Sequence, residues 1–353
     1  MVELGLIEGF YGRQWTWDER EAQARFLKEA GYGFYLYAPK GDEYLRRDWR
    51  VDYPPAEAER LTRLSRLCAD IGLSFGVGFS PFEVYRSFDD EAKAALARKL
   101  AFFDAAGMTE LAILFDDMRC DTPDIVATQA AIVTWMAERT AARRVIACPS
   151  IYSDDPSLPR YFGEPPPNYL RDLAARLDPA IGLFWTGEEV CAREFSPGHL
   201  DRVANEIGRK PVLWDNYPVN DGMRMSPYLY LRAFTGRPGA NAQHVTAHAV
   251  NPCLQPTLFR IPALTLAESY RLGDAYQYVA AWDRAAEQVL GPDLAALLRR
   301  HLVAFHDGGL THIEADIPRL RERYAAFDHP AAREVVAWLD GEYRVTREMM
   351  QGA

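Results

Sequence analysis

LAILFDD, residues 111–117, carries five apolar residues onto two adjacent carboxylates, Asp116 and Asp117. Residues 111–115 have the length and composition of a buried strand. An aspartate delivered by such a strand costs free energy unless it is hydrogen-bonded or paired, and a second like charge beside it raises that cost. The doublet therefore calls for either a structural partner or a chemical use.

Outward from this stretch, similar apolar runs recur at 4–8, 34–38, 73–79, 145–148, 181–185, 211–214 and 244–250. Between them lie amphipathic segments such as 19–31, 56–72 and 168–178, two of which end in a glycine, as a helix C-cap does. About eight strand and helix alternations in roughly 250 residues match an α/β fold of the (β/α)8 TIM-like type, a parallel barrel ringed by helices. A doubly wound open sheet is the alternative, but no glycine-rich dinucleotide loop follows the first strand. Past Pro252 the alternation stops, and 264–291, 293–307, 317–327 and 330–350 read as consecutive helices separated by Gly or Pro. The expected organisation is a (β/α)8 barrel over 1–255 and a C-terminal all-helical segment over 256–353.

The chain has 353 residues, 48% hydrophobic and 25% charged, enough to bury one large core. A formal net charge of -10 argues against nucleic acid as a partner, because such affinity comes mostly from lysine and arginine. The five cysteines are scattered, without zinc or redox-dithiol spacing, and read as free thiols in a reducing compartment. No apolar run reaches membrane-spanning length and the N-terminus lacks a leader pattern, so a cytoplasmic protein is expected, with no membrane partner.

In a barrel of this kind, chemistry belongs at the C-terminal strand ends. The first run delivers EGFYGRQW with Gly9 and Tyr11; the second delivers Lys40, and the fourth Asp116 and Asp117. The fifth gives Tyr152, the sixth Thr186, the seventh Trp214, Asp215, Asn216 and Asp221, and the eighth Asn251. Each has a bland reading alone: an aspartate doublet as a helix cap, Lys40 as a surface residue, the asparagines as turn residues, the aromatics as core. Their coincidence at one end, hydroxyl-binding groups beside aromatic faces, suits a sugar. His244 and His248, four apart on an expected strand, are weak metal ligands, and Asp121 and Asp124 beyond the doublet lack the pattern of a calcium loop. No metal and no cofactor is expected.

Two carboxyls that straddle a sugar ring perform ordinary glycoside hydrolysis. Neighbours in sequence start from one side of the pocket and suit another division of labour. One aspartate donates the proton to the leaving oxygen, while the other grips a substrate N-acetyl group whose carbonyl oxygen is the nucleophile. Two close acids also push their pKa values apart, leaving one protonated near neutrality.

The motifs IEGFYGRQW, YLYAPK, LFDD, FWTG, WDNYPVND and VNP, in this order at these strand ends, resemble family 84 of the glycoside hydrolases, the beta-N-acetylglucosaminidases that include O-GlcNAcase. The resemblance implies a retaining barrel enzyme without metal that removes terminal beta-linked N-acetylglucosamine (GlcNAc) from glycoconjugates through an oxazoline. Carried over by motif, Asp116 orients and polarises the acetamido N–H, and Asp117 is the general acid and then the base. Lys40, Asn216, Asp221, Asn251 and the backbone at Gly9 hold sugar hydroxyls. Tyr152 supports the acetamide or its oxazoline, and Thr186, Tyr11 and Trp214 line the pocket around the N-acetyl methyl. Hyaluronan or another amino sugar cleaved by the same mechanism, and a catalytically silent GlcNAc-binding barrel, are the alternatives. The lysine motif departs from the family in continuing as KGDEYLRR, with Gly41 and Leu45.

Overall fold

The computed structural model describes the backbone of residues 2–352 and the side chains of residues 2–350; Met1 and Ala353, the outer ends of the two expected units, lie outside it. Eight strands close into one parallel barrel in sequence order: β1 (Glu3–Glu8), β2 (Phe34–Tyr37), β3 (Ser74–Phe79), β4 (Glu110–Leu114), β5 (Arg144–Cys148), β6 (Gly182–Trp185), β7 (Val212–Asp215) and β8 (Ala247–Val250). β8 pairs with β1 through Glu3–Ala247 to Leu6–Val250, which leaves no sheet edge.

The helices that cover the barrel are α1 (Trp17–Glu29), α2 (Pro55–Ile71), α3 (Asp90–Ala105), α4 (Ile125–Ala137), α5 (Ser157–Phe162), α6 (Tyr169–Arg176), α7 (Pro197–Ile207) and α8 (Pro256–Leu272). Their ends follow local chemistry. Thr16 and Glu19 form a capping box at the start of α1, Ser196 caps α7 ahead of Pro197, and Gly72 and Gly208 end α2 and α7 in the left-handed conformation.

Strand periodicity divides the apolar residues into two layers. Ile7, Leu36, Leu114, Ile146, Phe184 and Ala249 point into the barrel, whereas Leu6, Tyr35, Val77, Ile113 and Leu183 point out against the helices. The floor is closed by Arg144, which pairs with Glu3 and Glu110 and lies over the Phe34 ring at 4.3 Å. Gly5 is required beside it, since a Cβ there would run into that ring.

The eighth strand starts three residues later than the apolar pattern predicts. Gly239–Gln243 form a 3-10 turn that His244 ends, so His244 and His248 do not share a strand. α8 begins at Pro256, just beyond the boundary expected at 255/256, yet it packs on α1: Tyr32 Oη donates to the Ala263 carbonyl (2.9 Å) and Arg260 Nε to Gln23 Oε1 (3.3 Å). It completes the ring and also carries the helices that follow, α9 (Tyr278–Leu290), α10 (Pro292–Val303), α11 (Gly309–His312), α12 (Ile317–Ala325), α13 (Pro330–Leu339) and α14 (Arg347–Gly352). These helices brace the loop after β7. Trp282 Nε1 donates to the Leu231 carbonyl (2.7 Å), Trp338 Nε1 to that of Ser226 (3.3 Å) and the Leu310 N–H to that of Pro227 (3.0 Å). No helix of the described residues is long and apolar enough to cross a membrane.

Candidate active site

Two residues past the inward-facing Ile7, Ala38, Leu114, Phe184, Trp214 and Ala249 stand Gly9, Lys40, Asp116, Thr186, Asn216 and Asn251. The strand repeat therefore brings these six expected site residues to one mouth of the barrel. Asp117 has the wrong parity for that mouth. Its backbone lies in the left-handed region at φ 59°, which turns the carboxylate back beside that of Asp116. Aspartate tolerates this conformation better than most residues. Tyr11 Oη donates to Asp117 Oδ2 (2.7 Å) and Tyr152 Oη to Oδ1 (3.0 Å), which fixes the returned carboxylate.

Asp116 is buried and paired with Lys40, whose Nζ donates to Oδ2. Its other oxygen, Oδ1, is buried with no hydrogen-bond partner among the described residues. Such an acceptor is costly to leave open and is matched by a single incoming donor. The Lys40 ammonium also lies over the Trp214 ring (5.7 Å) and the Tyr11 ring (6.0 Å).

From the sequence, one of two close acids is expected to be pushed up towards neutrality, but at Asp117 the shift runs the other way. Burial pushes the Asp117 carboxyl up, but Lys40, Arg46 and the two phenolic hydrogen bonds together hold it below the usual carboxylate range. Asp221, at the same mouth, is raised. Burial pushes it up to about 6, with the Asp117 charge adding to the rise and the Tyr11 N–H, bonded to its Oδ2 at 2.9 Å, opposing it. Burial and then the Asp117 charge keep the Tyr11 and Tyr152 phenols protonated, so both remain donors.

On the opposite wall the polar groups satisfy one another. The Gly9 N–H donates to Asn251 Oδ1 (3.2 Å), Asn251 Nδ2 and Trp214 Nε1 donate to Asn216 Oδ1 (2.9 and 3.0 Å), and Asn216 Nδ2 donates to the Val190 carbonyl (2.8 Å). A Cβ at Gly9 would sit 2.5 Å from the Trp214 indole, so glycine lets the ring lie against the backbone. Thr186 Oγ1 faces the carbonyls of Glu189 (3.3 Å) and Tyr152 (3.5 Å), and its N–H bonds the latter at 2.9 Å. Thr186 thus anchors the segment that presents Tyr152.

Asp215 points away from this mouth and is bound by Arg237 and His248 outside the barrel. Asp121 pairs with Arg119, and Asp124 opens α4. Among the described residues no group of three or more His, Cys, Asp or Glu side chains could hold a metal ion. Two site residues escaped the sequence reading. Cys148, a buried thiol that feels the charges of Asp116, Lys40 and Asp117, sits two residues past inward-facing Ile146, so strand parity could have found it. Arg46 comes from an aperiodic loop that carries no such signal. Gly41, in the same loop, makes room for Gln14, whose Nε2 would lie 2.7 Å from a Cβ there. Beside Asn216 the mouth meets a cleft of about 1010 Å³ between the β7 loop and α9–α10, lined by Cys191, Tyr217, Tyr230, Trp282 and His306 among others.

The family model for beta-N-acetylglucosaminidase matches residues 4–304 of this chain. The curated proteins named Protein O-GlcNAcase from Mus musculus and Rattus norvegicus are each 29% identical over 279 residues, covering 76% of this chain and 30% of their own. This chain thus spans less than a third of the length of those relatives. Among solved structures, a mutant O-GlcNAc hydrolase of Thermobaculum terrenum is similar at a TM-score of 0.80 and 27% identity, over 96% of this chain and 80% of that one. A family match that runs the whole length of the barrel makes this chain a member of the beta-N-acetylglucosaminidases, family 84 of the glycoside hydrolases.

Proposed function

We propose that this chain removes terminal beta-linked N-acetylglucosamine from glycoconjugates, with retention, by letting the acetamide of the substrate attack its own anomeric carbon. The observation that carries this reading is the open Oδ1 of Asp116 beside Asp117, two carboxylates approaching from one side of the pocket. In the first step the acetamido N–H donates to Asp116 Oδ1, its carbonyl oxygen forms a bond to the anomeric carbon, and Asp117 gives its proton to the departing glycosidic oxygen. In the second, Asp117 takes a proton from a water whose oxygen attacks the anomeric carbon and opens the oxazoline. Asp116 supplies negative charge where positive charge develops on the acetamide nitrogen. A carboxylate with its pKa held low in the free chain is already the base of the second step. Sugar binding removes water from around Asp117 and favours its protonation for the first.

Lys40, Asn216, Asp221, Asn251 and the Gly9 backbone are the groups that grip sugar hydroxyls. Tyr152 steadies the acetamide, and Trp214, Tyr11 and Thr186 enclose its methyl. The cleft beyond Asn216 receives the aglycone. Its Arg232, Arg299 and Arg193 each have a carboxylate neighbour in Asp307, Asp283 and Glu189, so it is not a positively charged groove of the sort hyaluronan calls for. A glycosylated peptide fits that balance better.

Successive fluorination of the N-acetyl methyl weakens the carbonyl oxygen as a nucleophile and tests the reading. The rate is expected to fall steeply with each fluorine. A rate indifferent to fluorination, or a glycosyl ester trapped on a side chain, replaces the substrate's amide with an enzymic nucleophile.

A further inference from the structure

Arg46 follows Lys40 by six residues on the loop after β2 and is 3% exposed. Its Nη1 donates to Ser80 Oγ (2.8 Å) and its guanidinium lies over the Phe82 ring at 5.0 Å, while Nε is buried without a hydrogen-bond partner. Backbone bonds hold it in place. Its N–H donates to the Glu43 carbonyl (3.1 Å), its carbonyl accepts from Phe82 (3.1 Å), and the Ser80 N–H donates to the Leu45 carbonyl (2.9 Å). The buried guanidiniums of Arg20 and Arg237 each grip a buried carboxylate, Glu8 and Asp215. Arg46 pairs with no carboxylate within 4.0 Å among the described residues.

Burying a permanent charge without a counter-ion is expensive, so a protein that keeps one there gains from its field. Ser80 directly follows β3, the strand paired with β4, past whose end stands the doublet. The titratable and charged groups that interact with Asp117 are Tyr11 from the β1 loop, Lys40 and Arg46 from the β2 loop, Cys148 and Tyr152 from β5 and its loop, and Asp221 from the β7 loop, with Asp116 next to it in the chain. Of the two cations, Lys40 is committed to Asp116. Both cations favour the carboxylate form of Asp117, Lys40 the more strongly, and Arg46 is the one with no carboxylate of its own among the described residues.

We propose that Arg46 is a positioning residue for Asp117, the cation that receives its carboxylate form once the leaving oxygen has taken the proton. This rests on the acid and base roles given to Asp117 under Proposed function. Arg46 touches neither sugar nor water in this scheme; it acts through the charge of its neighbour.

The test is the pH profile of kcat for Arg46→Gln and Arg46→Lys on an alkyl and on an activated aryl beta-N-acetylglucosaminide. Without the cation the acid keeps its proton to higher pH, so the alkaline limb for the alkyl substrate moves up by roughly one pH unit, the effect of removing a unit charge from a partly screened site. For the aryl substrate, whose turnover waits on the second step, Arg46→Gln loses several-fold at acidic pH, where too little base is ionised. Arg46→Lys restores most of both. Should Arg46→Gln not fold, Ser80→Ala frees the guanidinium from its anchor and moves the same limb by less. Loss of kcat at every pH with neither limb moved, in Arg46→Gln or in a folded Ser80→Ala, overturns the inference. So does a preference for acidic peptides that vanishes with the limbs unmoved, since that assigns Arg46 to substrate binding. A wild-type chain inactive on both glycosides defeats the proposed function instead.

Discussion

At the scale of residues, the doublet works because one backbone angle cancels strand alternation. Asp116 inherits the inward parity of Ala112 and Leu114, and Asp117 recovers it through a left-handed φ. Replacing Asp117 by alanine adds left-handed strain of about 1 kcal/mol to any chemical loss, whereas asparagine tolerates that conformation, so Asp117→Asn is the cleaner variant. It is expected to slow glycosides with poor leaving groups by about 10²- to 10⁴-fold and activated aryl glycosides far less, because protonation matters little for the latter. Equal losses on both in steady-state kinetics contradict the acid assignment. Asp116→Ala is expected to slow both. Asp221 supplies a pH test with a definite sign. Its folded pKa of about 6 lies above the ordinary 3.8, so the stability it contributes is fully present below pH 3.8 and is lost as pH rises through about 6. Asp221→Asn, which stays neutral and can still accept the Tyr11 N–H, is therefore expected to match the wild-type melting temperature near pH 4 and to exceed it by about 2 °C or more at pH 8. A difference that does not change with pH shows that Asp221 is not the titrating group.

At the scale of elements, periodicity placed each strand to within a few residues and put six candidate site positions at one mouth. It misplaced the start of β8, because Val245 and the histidines extend the apolar pattern into a segment that the chain spends on a 3-10 turn. Helix α8 shows a different limit. The sequence reads as one tail helix over 264–291, whereas the chain starts α8 eight residues earlier, at Pro256, and breaks the run with a 3-10 turn from Gly273, and only packing against α1 assigns α8 to the ring. The N-terminus of α8 is in turn capped from α13, where both oxygens of buried Glu334 accept N–H bonds, from Thr257 (2.7 Å) and Leu258 (2.8 Å). Glu334→Ala removes a cap across nearly eighty residues of sequence and is expected to cost about 2 kcal/mol, or about 4 °C in thermal melting. Glu334→Gln keeps one acceptor and should lose less. An unchanged melting temperature in Glu334→Ala means that the clamp between barrel and tail contributes nothing.

At the scale of the whole molecule, barrel and helical tail hold each other. α8 buries Leu258, Phe259, Ile261 and Leu266 against the ring, and α9 to α13 brace the loop that presents Asn216 and Asp221. Each of those apolar side chains is worth about 1.5–3 kcal/mol, so together they rival the 5–15 kcal/mol by which a typical domain is stable. A chain ended after residue 255 is therefore expected to lose its cooperative thermal transition, read by circular dichroism. A sharp transition in that fragment makes the barrel independent of α8. The sequence by itself determined the barrel and which residues gather at its mouth, because strand parity and strand-end position are local and repeat every two residues. Only the tertiary structure decided the charges there. Whether Asp117 or Asp221 holds a proton depends on Lys40, Arg46 and Tyr11, which come from the loops after β1 and β2, far from both acids in the chain, and meet them only when the barrel closes. Electrostatic energy depends on separations in space, and the linear order of residues does not encode them.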